Sequence, residues 1–189
     1  MLKAEARKIF KERRASISHS QKLKWDDLLL IQFQKLGLPF FSSVLSYFPL
    51  ETQNEINTFI ITDYLLFTNP DLQICYPKIN AMENNFVAIV AQDDDEFVPN
   101  QYGIPEPATT KVIEPQDIDA VLIPLLCFDK NGFRAGYGKG FYDRFLKDCR
   151  QDCLKIGLSY FEAIEQLDDA ADYDVPLDIC ITPQKAYVF

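Results

Sequence analysis

The sequence predicts a single α/β domain on a largely parallel sheet, and three observations lead there. Short apolar runs alternate with helical stretches along most of the chain, the pattern of strands joined by helical crossovers. The 189 residues, 48% of them hydrophobic and 25% charged, are enough for one buried core, so one domain is expected over 1–189. Only seven glycines occur, which excludes fibrous or linker-rich organisation. Gly132, Gly136, Gly138 and Gly140 fall within nine residues, which marks one loop as special.

The elements follow in order. Residues 3–14 read as a basic helix with six Lys/Arg and two Glu, a net of +4, so the rest of this -9 chain sums to -13. Lys3, Arg7, Lys11 and Arg14 recur at helical spacing and share a face, which reads as a solvated cationic surface unless something anionic faces it. Ser18 or Ser20 caps a second helix reaching residue 36, with Trp25, Leu28, Leu29, Phe33 and Leu36 as its apolar stripe. Gly37 and Pro39 end it. Strands are expected over 44–48, 72–76, 86–91 and 120–124, with short late strands over 155–158 and 178–182. Helices are expected over 55–66 and 141–149. The acidic run 93–96 reads as a solvated loop. Prolines 105 and 107 make Tyr102-Gly-Ile-Pro-Glu-Pro107 a rigid surface turn.

Charge and cysteine usage narrow the function. Nineteen Lys+Arg against 28 Asp+Glu and a pI near 4.6 argue against a nucleic-acid or anionic-membrane surface, which needs a broad positive field. A local basic pocket for one small polyanion is compatible with that charge. No apolar run reaches the roughly 18 residues of a membrane span, and the amino terminus lacks the apolar stretch of a secretory signal. Five cysteines, no Cys-x-x-Cys and a single histidine argue against a disulfide framework or a zinc site. Cys149 and Cys153, four apart on the expected helix, read as structural thiols. A reduced, cytoplasmic protein is expected.

The glycine cluster carries the chemistry. It lies between a strand ending at Pro124 and a helix starting near Phe141, where backbone amides and the helix dipole favour an anion. Glycines let amides approach phosphate oxygens, and Arg134 and Lys139 add full charges. The spacing is not a P-loop, because Gly140 follows Lys139 where Ser or Thr is needed. Nor is it the dinucleotide fingerprint, whose third glycine would fall one residue later. Asp143, just beyond the loop, suits either a helix N-terminal charge or a carboxylate holding Mg²⁺ against phosphate oxygens.

Pro124, Phe128-Asp129, Gly132, Arg134 and Gly136-Tyr-Gly-Lys-Gly-Phe-Tyr-Asp143 stand in the order of a known signature, and here the sequence resembles the 5-formyltetrahydrofolate cyclo-ligases. Lys3 with Arg7, Glu55-Ile-Asn-Thr58, Gly103–Pro107 and Asp174 to Asp178 extend the resemblance over almost the whole chain. The resemblance implies a three-layer α/β/α fold and ATP- and Mg²⁺-dependent closure of 5-formyltetrahydrofolate to 5,10-methenyltetrahydrofolate. It implies that Lys3, Arg7, Arg134 and the loop Gly136, Tyr137, Gly138, Lys139, Gly140, Phe141 and Tyr142 bind ATP. It places Leu50, Glu55, Tyr137, Gly138, Lys139 and Gly140 at the folate, and Asp143 and Asp174 on Mg²⁺, with Asp172 and Asp178 as nearby competitors for Asp174. Lys139 and Arg134 become the candidate catalytic groups. ATP and a reduced folate are the implied partners, with no nucleic acid, no membrane and a monomer favoured. Three positions depart from the family pattern: Ala135 replaces a usual Leu, Phe141 a common Tyr, and Tyr173 a frequent His.

Overall fold

The computed structural model describes residues 1–80, 85–92 and 95–189. Its centre is an eight-stranded sheet in the order β12-β11-β10-β7-β1-β2-β3-β6. The strands are β1 (Ser43–Leu45), β2 (Gln73–Asn80), β3 (Asn85–Val90), β6 (Val112–Ile113), β7 (Ala120–Ile123), β10 (Leu154–Leu158), β11 (Ile179–Ile181) and β12 (Ala186–Val188). Pairing is parallel from β11 through β10, β7 and β1 to β2 and antiparallel outside them. Two hairpins lie off the sheet, β4 (Phe97–Pro99) with β5 (Pro105–Pro107) and β8 (Cys127–Phe128) with β9 (Arg134–Ala135).

Alternation along the strands builds two cores. Val44, Ala120, Leu122 and Ile156 face the helices α1 (Lys3–Ala15), α2 (His19–Lys35) and α3 (Phe59–Thr68). Leu45, Val121, Ile123 and Cys180 face α4 (Phe141–Asp148) through Phe145 and Leu146. This is the expected α/β/α layering, with three helices on one face and one on the other. Central strands buried on both sides explain why they read as continuous apolar runs. Among the described residues, no helix is long and apolar enough to cross a membrane.

The second helix is capped by Ser18, whose hydroxyl accepts from the Gln21 amide at 3.2 Å. Its buried face is broken by Asp26, which takes Lys22 Nζ at 2.7 Å and the Tyr160 hydroxyl at 2.6 Å. The third helix starts at Phe59 rather than Glu55, because Glu55 turns back to accept from the Leu50 amide at 2.9 Å. The fourth ends at Asp148, so Cys149 caps it and Cys153 lies beyond; all five cysteines are unpaired. The expected rigid turn at 102–107 is instead the β4–β5 hairpin, and Glu106 is buried in it. Its carboxylate accepts from the Ile79 amide at 2.8 Å and Asn100 Nδ2 at 2.6 Å. Of the acidic run, Asp93 and Asp94 lie outside the described residues.

Asp119 sits just before β7, beside the amino ends of β1 and β10. Its carboxylate accepts from the Ser42 and Ser43 amides at the start of β1 and pairs with Arg150, while its carbonyl takes the Leu154 amide at 2.9 Å. Burial pushes its carboxyl up, but Arg150 and the two amides outweigh this and hold it below the ordinary value. A depressed folded-state value adds stability above the usual carboxylate range near pH 4, and the contribution fades as pH falls. Asp119→Asn is therefore expected to cost about 1–2 kcal/mol at pH 7. Urea denaturation at pH 3 should show a smaller gap between variant and parent; an equal gap at both pH values would contradict the role.

Candidate functional site

Strand order decides where a site forms. The chain passes from β1 to β2 on one side and returns to β7 on the other, so a crevice opens at the carboxyl ends of β1 and β7. A cavity of about 720 Å³ lies there, entered by Tyr47, Phe48 and Leu50 beyond β1 and by Pro124 beyond β7. Every residue that the family resemblance assigns to ATP, the folate or Mg²⁺ lines it: Lys3, Arg7, Leu50, Glu55, Arg134, the stretch Gly136 to Asp143, and Asp174.

The glycine loop joins β9 to α4, and its shape depends on two left-handed residues. Gly138 has φ +92°, and a Cβ there would stand 3.3 Å from the Arg7 guanidinium carbon. Gly140 has φ +65° and caps α4; a Cβ there would meet Arg144 at 3.1 Å. Arg144 in turn donates to the Lys139 carbonyl at 2.8 Å. Gly132, also left-handed, closes the turn begun by Asp129. The buried Asp129 carboxylate organises that turn, accepting from the Asn131 amide at 2.9 Å and the Leu167 amide at the same distance.

The first helix runs beneath this loop. Lys3 Nζ pairs with Asp174, and Arg7 Nε donates to the Gly136 carbonyl at 2.9 Å. Arg14 is buried and donates to the Tyr137 hydroxyl at 2.5 Å, whereas Lys11 is exposed. The buried Arg134 holds Asp143 at 2.7 Å and also donates to the Val175 carbonyl. Burial lowers the Arg134 guanidinium, and Asp143 and Asp174 oppose that shift. Lys139 Nζ stands 3.4 Å from the centre of the Tyr102 ring, a cation–π contact reaching over from the β4–β5 loop. Burial and the Glu55 charge push the Tyr137 and Tyr142 phenols up, so both are protonated at neutral pH.

Two carboxylates face the cavity within reach of the loop's charges. The contacts of Asp143, from Arg134 and the Val175 amide, fall on Oδ1; those of Asp174, from Lys3 and the Ala171 amide, fall on Oδ2. One oxygen of each is therefore turned away from these partners. Among the described residues, no group of three or more His, Cys, Asp or Glu forms a closed metal cage. Magnesium takes few protein carboxylates and completes its shell with water and substrate phosphate, so Asp143 and Asp174 are the residues here that could hold an ion arriving with a polyphosphate. Asp178 is engaged elsewhere, by Lys155, and Asp172 is exposed and does not line the cavity.

The sequence model of the 5-formyltetrahydrofolate cyclo-ligase family matches residues 1–183. The chain belongs to this family. It is 38% identical to the 5-formyltetrahydrofolate cyclo-ligase of Mycoplasma genitalium over 104 residues, spanning 54% of this chain and 58% of that protein. With the Escherichia coli K12 cyclo-ligase it shares 25% identity over 169 residues, 82% of this chain and 92% of that one. The solution structure of Aquifex aeolicus 5,10-methenyltetrahydrofolate synthetase superimposes with a TM-score of 0.82 at 26% identity, covering 100% of this chain and 93% of the other. The Mycoplasma pneumoniae synthetase gives 0.77 at 28% identity, covering 96% and 98%.

Several cavity residues were invisible in the linear pattern of the cyclo-ligase signature. These are Phe48, Ile79 and Phe86, which form an apolar wall; Tyr102 and Glu106, in and beside the Gly103–Pro107 element of the resemblance, arrive on the hairpin. Prolines signalled a stiff segment there, but nothing in the sequence said that it folds over the glycine loop. Gly138→Ala tests the loop's geometry, since it combines a strained φ with displacement of Arg7. Calorimetry should show at least tenfold weaker ATP binding, with roughly 1 kcal/mol lower stability; unchanged affinity would remove Gly138 from the anion site.

Proposed function

We propose that this protein is an ATP- and magnesium-dependent 5-formyltetrahydrofolate cyclo-ligase, forming 5,10-methenyltetrahydrofolate with release of ADP and phosphate. One observation carries the reading. A single cavity joins a cationic glycine loop, suited to polyphosphate, to an apolar wall ending in the buried Glu55 carboxylate, suited to a flat heterocycle with N–H donors.

In this reading Lys3, Arg7 and Arg134, with the amides of Gly136 to Tyr142, hold the ATP phosphates. Leu50 and Glu55 bind the reduced folate, and Tyr137, Gly138, Lys139 and Gly140 lie between the two substrates. Asp143 and Asp174 would hold magnesium, which neutralises phosphate charge when bound. Arg134 and Lys139 are the catalytic groups. The formyl oxygen attacks the γ-phosphorus as the bond to ADP breaks, giving an imidate phosphate. The second folate nitrogen adds to the formyl carbon and gives up its proton, and phosphate leaves with the C–O electron pair. Such transfers need in-line positioning and charge neutralisation, which fixed cations and loop amides supply without a nucleophilic side chain. Lys139 reaches phosphate from beside the Tyr102 ring, which couples hairpin position to nucleotide binding.

The deciding assay follows the methenyl-folate absorbance from 5-formyltetrahydrofolate, expected only with both ATP and Mg²⁺. Folded protein giving neither chromophore nor ADP would refute the reading. Lys139→Ala should lower turnover more than tenfold, or about 1.4 kcal/mol of barrier; an unchanged rate at saturating ATP removes its transition-state role. Asp143→Asn should shift the magnesium titration to higher concentration, and an unaltered curve would take Asp143 out of the metal site.

A further inference from the structure

Arg14 is a buried cation that does not line the cavity. Its side chain lies behind the wall formed by Tyr137 and Glu55, beside a much smaller void bordered by Tyr47, Glu55 and Tyr160. The side chains of Arg14 and Glu55 are 7% and 6% exposed and their charged atoms stand 4.0 Å apart. Between them sits the Tyr137 hydroxyl. Arginine can only donate, so Tyr137 Oη accepts from Arg14 NH2 at 2.5 Å and its own proton must point at Glu55 Oε1. The other oxygen of Glu55 accepts from the Leu50 amide. Asn54 holds the helix end in place, donating to the Arg14 and Ile17 carbonyls at 3.1 and 3.2 Å.

We infer that Arg14 is a positioning residue for folate recognition: acting through the Tyr137 hydroxyl, it supplies the countercharge of Glu55 and fixes that carboxylate as an acceptor facing the ligand. The inference rests on the folate reading of the cavity. The direction of the relay decides its effect. With Arg14 present, Tyr137 is locked as donor to Glu55, and the carboxylate is held between two protein donors at a fixed angle. Without it, Tyr137 still donates to Glu55 but is no longer held from its other side, and a buried carboxylate loses its nearest cation, a costly state that the site relieves by moving Glu55. Arg7 is directed elsewhere, its Nε donating to the Gly136 carbonyl at 2.9 Å.

A double-mutant cycle tests the coupling. Arg14→Met is expected to weaken 5-formyltetrahydrofolate binding at least tenfold by calorimetry while leaving the KM for ATP within twofold. Arg14→Lys, which restores the charge, should recover a substantial part of that loss. Glu55→Gln alone should also weaken folate binding, and the double variant Arg14→Met/Glu55→Gln should be no weaker than the worse single one. Losses that multiply, or Lys and Met variants of equal affinity, would overturn the proposal. Thermal melting supplies a readout that needs no ligand: Arg14→Met strands a buried charge, so adding Glu55→Gln should raise its melting temperature. Additive melting shifts would refute the coupling even where folate binds. Absence of folate binding by the unsubstituted protein refutes the folate reading and with it the recognition role, while the melting cycle separately decides whether the two charges are linked.

Discussion

The cavity depends on how one helix buries its charge. Lys3, Arg7 and Arg14 lie along one face of α1, and that face turns inward, where unpaired cations would be prohibitively costly. Each is met by a different kind of partner: a carboxylate, a backbone carbonyl and a phenol hydrogen-bonded to a carboxylate. Gly138 leaves room for this, since a Cβ there would stand 3.3 Å from the carbon of the Arg7 guanidinium and press on it. The glycine loop and the cationic helix are thus two halves of one packing arrangement.

Topology puts this arrangement to use. The reversal of strand order at β1 leaves the crevice, α1 floors it, and the β4–β5 hairpin leans over it. The hairpin's place is fixed by Glu106, a carboxylate buried at a sheet edge and satisfied by the Ile79 amide and Asn100. Asn100 in turn accepts from the Tyr102 and Ile104 amides, at 2.8 and 3.1 Å, setting the loop that carries Tyr102 to Lys139. Position at the mouth is therefore transmitted through a short chain of hydrogen bonds to the central sheet.

Much of this was legible in the sequence because its causes are local. Apolar runs mark strands buried on two faces, Ser18 marks a helix start, and four clustered glycines mark a loop with unusual backbone demands. The family signature gathered the cavity residues, and they do share one cavity. What escaped has long-range causes. Glu55 was read into a helix because its neighbours have helical composition, whereas its carboxylate is claimed by Leu50 and by Tyr137, 82 residues away. Nothing in the sequence distinguishes Asp26 or Asp119 from a surface charge, and Glu106 falls in a segment that reads as a surface turn, yet each is held by partners distant in the chain. A buried carboxylate cannot be told from a solvated one until its donors are placed around it.

The ion pair of Lys3 with Asp174 joins residues 171 positions apart, and the contacts of Arg7 and Arg14 with the loop span 129 and 123. During synthesis the first helix therefore leaves the ribosome long before anything exists for its charges to meet. Helix formation is local and fast, whereas closing such distances is entropically slow. Until residues 136, 137 and 174 have been made, the charges of α1 have none of these partners, and a helix of its length is marginal in water by itself. The cavity can therefore close only when segments far apart in the sequence are brought together, and α1 is held by partners that are never its neighbours along the chain.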